Sequence, residues 1–136
     1  PDIIHCLGWF SSLMPLYVKK LYGQDTHFSE SQIVVSAYGN EFDGVMSKDI
    51  QKKVAFDGFE SEDIAFLKKP SHVNLLKSAL QFADGLILGD DQVSPELRQY
   101  AESLEIPVMQ QYTETDYLAA TDEFFDQVLV AKPELA

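Results

Sequence analysis

Basic side chains are scarce in this sequence: 10 Lys and Arg stand against 22 Asp and Glu, a formal net charge of −12 at pH 7. The deficit is uneven, since residues 84–136 offer only Arg98 and Lys132 as bases. Such an acidic surface repels phosphate backbones and anionic lipid, which argues against nucleic acid and membranes as partners and reads most simply as a solvated face. Cysteine is nearly absent as well. Cys6 alone cannot form an internal disulfide, in keeping with a cytoplasmic setting. Without a Cys cluster, and without ligand spacing among His5, His27 and His72, no metal site can be built. No apolar run approaches the roughly 20 residues needed to cross a bilayer, and no basic leader with an apolar core opens the chain. No repeat, low-complexity tract or linker interrupts it. The 136 residues suffice for one domain body and not two. That body is assigned to residues 1–131, and residues 132–136 are expected to fray.

What is present alternates. The opening Pro1-Asp2-Ile3-Ile4-His5-Cys6 reads as a short buried strand, and a chain that begins on a core strand is expected to be a fragment of a longer protein. A helix from Ser11 or Ser12 to about Tyr22 follows, with Leu13, Leu16, Tyr17 and Leu21 on one stripe and Pro15 in the first turn. Residues 32–37 form a second strand, β-branched at its centre. Short helices are expected from Ser47 to Val54 and from Ser61 to before Pro70, then a longer one capped by Ser71 that buries Leu75, Leu76, Ala79, Leu80 and Ala83. Gly85-Leu86-Ile87-Leu88 is a third strand. Ser94-Pro95-Glu96 opens another helix, serine as cap and proline at the first position. Pro107-Val108-Met109 is a short fourth strand. The last helix starts near Thr113 or Thr115 and shows Tyr117, Leu118, Phe124, Phe125, Val128 and Leu129 on one face. Strands that are apolar almost end to end, separated by helices, predict an α/β fold: a Rossmann-like parallel sheet with helices on both faces.

In such a sheet function gathers in the loops at the carboxyl ends of the strands. Those loops supply His5, Trp9, Tyr38, Asn40, Glu41 and Asp90 as candidate substrate-binding residues. Aromatic faces pack on sugar C–H surfaces, while amides and carboxylates take the hydroxyls. Each candidate also has an ordinary structural reading: a satisfied histidine, an edge-covering Trp9, a Gly39-Asn40 turn, a capping Asp90 or Asp91. Cys6 reads as a small core hydrophobe. Residues 39–44 are not a nucleotide-binding glycine loop, since no lysine follows, so no cofactor is expected.

These residues also carry a resemblance. Pro1 to Trp9, continued by Leu13-Met14-Pro15-Leu16-Tyr17, resembles the "PDxxHxHDW…xxPxxLK" segment of bacterial glycogen synthases and plant starch synthases. Ile33 to Gly44 resembles the family's "VxTIHNxxYQG", Leu76 to Gly85 its "LKxGIxYAD", and Val93-Ser94-Pro95 lies near its "TVSP". The resemblance implies a piece of the amino-terminal half of a GT-B glycosyltransferase. That family moves glucose from a nucleotide sugar such as ADP-glucose to an α-1,4-glucan between two Rossmann-like domains. It implies as partners an α-glucan, a nucleotide sugar, the remainder of the amino-terminal domain and a carboxyl-terminal domain. Its "KxGGL" loop would lie upstream of Pro1.

The departures fall on the motifs. His5 matches the first histidine of "HxHDW", but the second is Leu7, the aspartate is Gly8, and Trp9 is retained. In the second motif Tyr38 stands for the histidine, Gly39 for the asparagine, Phe42 for the tyrosine and Gly44 for the glycine. Leucine donates no hydrogen bond and glycine has no carboxylate. The expectation is a divergent synthase-like domain, inactive alone, from a parent that either still transfers glucosyl units or is degenerate, with no catalytic residue assigned. The alternative from another class is a flavodoxin-like or response-regulator-like module that binds a small ligand or a partner protein.

Overall fold

The structure, a computed structural model, describes residues 1–39, 41–47 and 49–131. Four strands, β1 (Ile3–Leu7), β2 (Gln32–Ala37), β3 (Gly85–Leu88) and β4 (Val108–Gln110), form one parallel sheet in the order β1-β2-β3-β4. The register sets Ile3 opposite Gln32, Val34 opposite Gly85 and Leu86 opposite Val108. The expected α/β, Rossmann-like arrangement is therefore present, with helices on both faces. The expected tail, residues 132–136, lies outside the described residues.

After β1 come a 3-10 turn (Trp9–Ser11), one turn of helix, α1 (Met14–Leu16), and a π-turn (Tyr17–Leu21). The i→i+5 bonding of a π-turn rotates successive side chains less than a regular helix does. Leu16 and Val18 are consequently buried, whereas Leu21, expected inside, is 45% exposed. Helix α2 (Asp49–Ala55) is preceded by Ser47, whose Oγ accepts from the Asp49 N–H at 3.2 Å. A 3-10 segment (Ser61–Lys68) leads to α3 (His72–Leu80), where the Ser71 Oγ accepts from the Asn74 N–H. Helix α4 (Pro95–Ser103) has Pro95 in its first turn as expected. Ser94, however, serves through its carbonyl, which takes the Leu97 and Arg98 N–H groups, and not through its side chain. Helix α5 (Tyr117–Val130) begins later than Thr113 or Thr115, because Asp116 is the residue whose carboxylate accepts from the Ala119 N–H.

Alternation sorts the sheet side chains. Cys6, Ile33, Val35, Ala37, Leu86 and Leu88 point to one face and pack against Leu76, Ala79 and Leu80 of α3 and Leu97 and Ala101 of α4. Val34 and Ile87 point to the other and meet Phe124 and Val128 of α5. Helices α3 and α4 thus lie on the same face while the strands add in one direction, so the β2–β3 and β3–β4 crossovers share one hand.

Burial on both faces holds only for the central strands. All of β2 and β3 is buried, but β1 buries only Cys6 and β4 none of its residues. The expectation of a buried first strand fails because β1 is an edge. The Gln32 N–H bonds to the Asp2 carbonyl and the Gly8 N–H to the Ser36 carbonyl. By parallel-ladder alternation, the backbone groups of Ile3, His5 and Leu7 then face away from β2. Tyr117 and Leu118, expected on the buried stripe of α5, are 55% and 69% exposed: the helix overhangs the sheet at its start and seats on it only from Phe124. No helix among the described residues is long and apolar enough to cross a membrane.

Candidate functional site

The carboxyl edge of the sheet is built by three tight loops. At the end of β1, Gly8 adopts φ 75° and ψ −177°, a conformation open to glycine, and turns the chain into Trp9. The Trp9 ring meets Phe42 edge-on at 5.0 Å between centroids, and Phe42 in turn meets His72 at 5.4 Å. Beneath them lies a second core cluster of Leu16, Val54, Ile64, Leu67 and Leu75. Glu41 joins the three chain segments: its Oε2 accepts from the Trp9 backbone N–H at 3.1 Å and pairs with the His72 Nε2 at 2.9 Å. The loop after β2 reaches the start of α3 through an antiparallel bridge between Val45 and Ser71 and a Met46 N–H to Pro70 carbonyl bond.

The second loop pair is locked by backbone contacts. Both carboxylate oxygens of Asp90 lie 3.1 Å from the Gly39 N–H, and Oδ1 also accepts from the Gln92 N–H at 2.9 Å. Gly89 lies under the Tyr38 ring, where an added Cβ would come within 2.2 Å of ring carbon Cε1. Gly39 is equally constrained, with the Gln92 carbonyl oxygen 2.1 Å from the place of its missing Cβ. Asp91 points elsewhere and accepts from its neighbour, the Gln92 side chain, at 3.0 Å.

His5 does not join this edge. It is the third residue of β1, two residues short of the strand end, and lies on the α5 face. Its Nε2 is 2.6 Å from the Ser36 Oγ, and its ring stands edge-on to Phe125 at 5.5 Å. Burial lowers its pKa from the usual 6.5, which favours the neutral imidazole at pH 7. A groove of about 540 Å³ runs beside it between Gln111, Tyr117, Leu118, Thr121 and Phe125. Burial also pushes the Cys6 thiol up to about 11, so it is an unreactive core side chain.

Of the six candidates, then, Trp9 and Glu41 come together directly, Tyr38 and Asp90 form the neighbouring loop lock, and His5 stands apart on the α5 face. Asn40 lies outside the described residues. His72, and Phe42 as a packing partner, were not among the candidates. Nothing in the spacing of residue 41 and residue 72 signals their contact, which depends on the Val45–Ser71 bridge. No group of three His, Cys, Asp or Glu among the described residues could hold a metal ion.

In an open parallel α/β sheet ligands bind in the crevice outside the carboxyl ends of the strands, and here that edge gathers the Trp9, Tyr38 and Phe42 rings and the Glu41 carboxylate, with His72 of α3 against it. The family model described as the starch synthase catalytic domain matches residues 1–107. The glycogen synthase of Vibrio parahaemolyticus is 34% identical over 106 residues, covering 77% of this chain and 20% of that protein. That of Desulfitobacterium hafniense is 28% identical over 107 residues, 79% of this chain and 21% of that protein. That of Photobacterium profundum is 31% identical over 84 residues, 62% and 16% respectively. The chain belongs to the starch synthase catalytic domain family and is a glycosyltransferase-type domain. It spans about a fifth of the length of these curated relatives.

Proposed function

We propose that this chain forms one wall of the sugar-transfer cleft of a cytoplasmic, glycogen-synthase-like parent, and that the chain alone transfers no glucose. The observation that carries the reading is the family match over residues 1–107, which covers the loops that end β1, β2 and β3. In the parent, a glucosyl unit passes from a nucleotide sugar such as ADP-glucose to an α-1,4-glucan. Trp9 and Tyr38 then border the sugar side of the cleft.

The argument for inactivity is electrostatic. Glucosyl transfer passes through a charged, sugar-cation-like transition state and leaves a diphosphate that must be neutralised in a water-poor cleft. Residues 8–18, 38–47, 89–97 and 111–131, which include all four loops, contain no Lys or Arg. Glu41, Asp90 and Asp91 instead make the edge acidic. Leu7 and Gly8 stand where the family motif has histidine and aspartate. The groups that neutralise a diphosphate therefore come from elsewhere in the parent: the rest of the amino-terminal domain and an opposing carboxyl-terminal domain.

The test is to incubate the purified chain with radiolabelled ADP-glucose or UDP-glucose and glycogen and to count label in the precipitated polymer. The expected result is no incorporation above a no-protein control. Incorporation that disappears on replacing Tyr38 and Glu41 with alanine would overturn the reading.

A further inference from the structure

The carboxylate of Glu41 occupies a space that belongs, by chain position, to residue 8. A Cβ built on Gly8 would sit 3.0 Å from the Glu41 Oε1, closer than a comfortable van der Waals contact. The φ of 75° at Gly8 independently disfavours any side chain there. Here the carboxylate next to Trp9 arrives from a different loop.

Its contacts define its role. Oε2 already serves two donors, the Trp9 N–H at 3.1 Å and the His72 ring nitrogen at 2.9 Å, and Oε1 lies against Gly8. The side chains of Glu41 and His72 are only 20% and 13% exposed. The Trp9 N–H is the first of a 3-10 turn and has no partner within that turn, so a carboxylate acceptor satisfies it. We propose that Glu41 is a positioning residue: its carboxylate fills the space beside the side-chain-less Gly8, takes the Trp9 N–H and the His72 ring, and so fixes Trp9 against the start of α3. The assignment concerns the same edge as the function proposed above, but its test reads the chain itself and stands whether or not the parent transfers glucose.

Trp9 is the sole tryptophan, so its fluorescence reports this corner directly. In Glu41→Ala the emission maximum moves to longer wavelength and acrylamide quenches it at least about twofold more strongly, while far-UV circular dichroism is retained. Gly8→Asp is then made in both backgrounds and its effect on the unfolding equilibrium constant measured in urea. The φ penalty at residue 8 is common to both backgrounds. With Glu41 present, the new carboxylate also meets a crowded space and a like charge, and without Glu41 it meets neither. The penalty of Gly8→Asp is therefore smaller in the Glu41→Ala background by a factor of about two or more, the coupling expected of residues in contact. An unchanged Trp9 spectrum in folded Glu41→Ala, or a Gly8→Asp effect equal in both backgrounds, overturns the proposal. Should Glu41→Ala fail to fold, Glu41→Ser, which likewise opens the space beside Gly8 and removes the carboxylate, takes its place in both measurements with the same outcomes.

Discussion

Phe124 is the side chain on which the α5 face depends, and its truncation has a calculable effect. It is 3% exposed and packs with Val34, Ile87 and Val128, and its ring carbon Cζ lies 3.3 Å from where a Cβ on Gly85 would be. The glycine at 85 leaves room for that ring, so β3 cannot close the gap when the ring is removed. Phe124→Ala should therefore cost near the full range for a buried aromatic, about 3–5 kcal/mol. A domain of this size has roughly 5–15 kcal/mol in all. With a urea m-value of about 2 kcal/mol/M, the midpoint falls by about 1.5–2.5 M. Phe125, one residue on, is only partly buried and rests edge-on against His5, so Phe125→Ala should cost clearly less. The assay is urea unfolding followed by circular dichroism at 25 °C, with both variants compared with the unsubstituted chain. A Phe124→Ala loss below about 1 kcal/mol, or one no larger than that of Phe125→Ala, would refute the account of this face.

Asp90→Ala removes the acceptor of the Gly39 and Gln92 N–H groups and is expected to cost about 1.5–3 kcal/mol, with faster amide exchange at residues 39 and 92 measured by NMR. The Tyr17 phenol should titrate near 12 in the folded chain, because burial and then the 2.5 Å hydrogen bond to Asp57 raise it from 10. The unfolded chain ionises Tyr17 first, so the stabilising contribution is present below pH 10 and is lost as pH rises toward 12. Absorbance at about 295 nm, read on the chain and on Tyr17→Phe to isolate this phenol, follows the titration. Asp57→Asn is expected to lower its midpoint.

The fold was largely legible because β2 and β3 are short apolar runs between turn residues, and a run buried on both sides needs no partner information to be recognised. Where the sequence misled, burial depended on neighbours it does not name. Ile3 to Leu7 has the composition of a core strand, yet only Cys6 is buried, since nothing among the described residues pairs with its outer edge. Tyr117 and Leu118 have the right spacing for a buried stripe, but the sheet ends before them. The candidate edge was legible in the same measure. Trp9, Tyr38 and Asp90 follow strands whose ends are well marked by Gly8, Gly39 and Gly89. His5 was misplaced because β1 runs on to Leu7. The Glu41–His72 pair was invisible, since it rests on a backbone bridge between residues far apart in sequence, and no local pattern encodes that.

The order of the strands has a consequence for how the chain is made. Strand order in space equals strand order in sequence, and α3 and α4 both pack on one face. As the chain emerges from the ribosome, each new strand adds beside the one made before it, and that face is covered step by step. The opposite face receives no such treatment. Val34 and Ile87, both fully buried in the finished structure, wait bare until Phe124 and Val128 have been synthesised. From the making of β2 until that of α5, this sheet is thus half-dressed, with one apolar side facing water that α5 then closes.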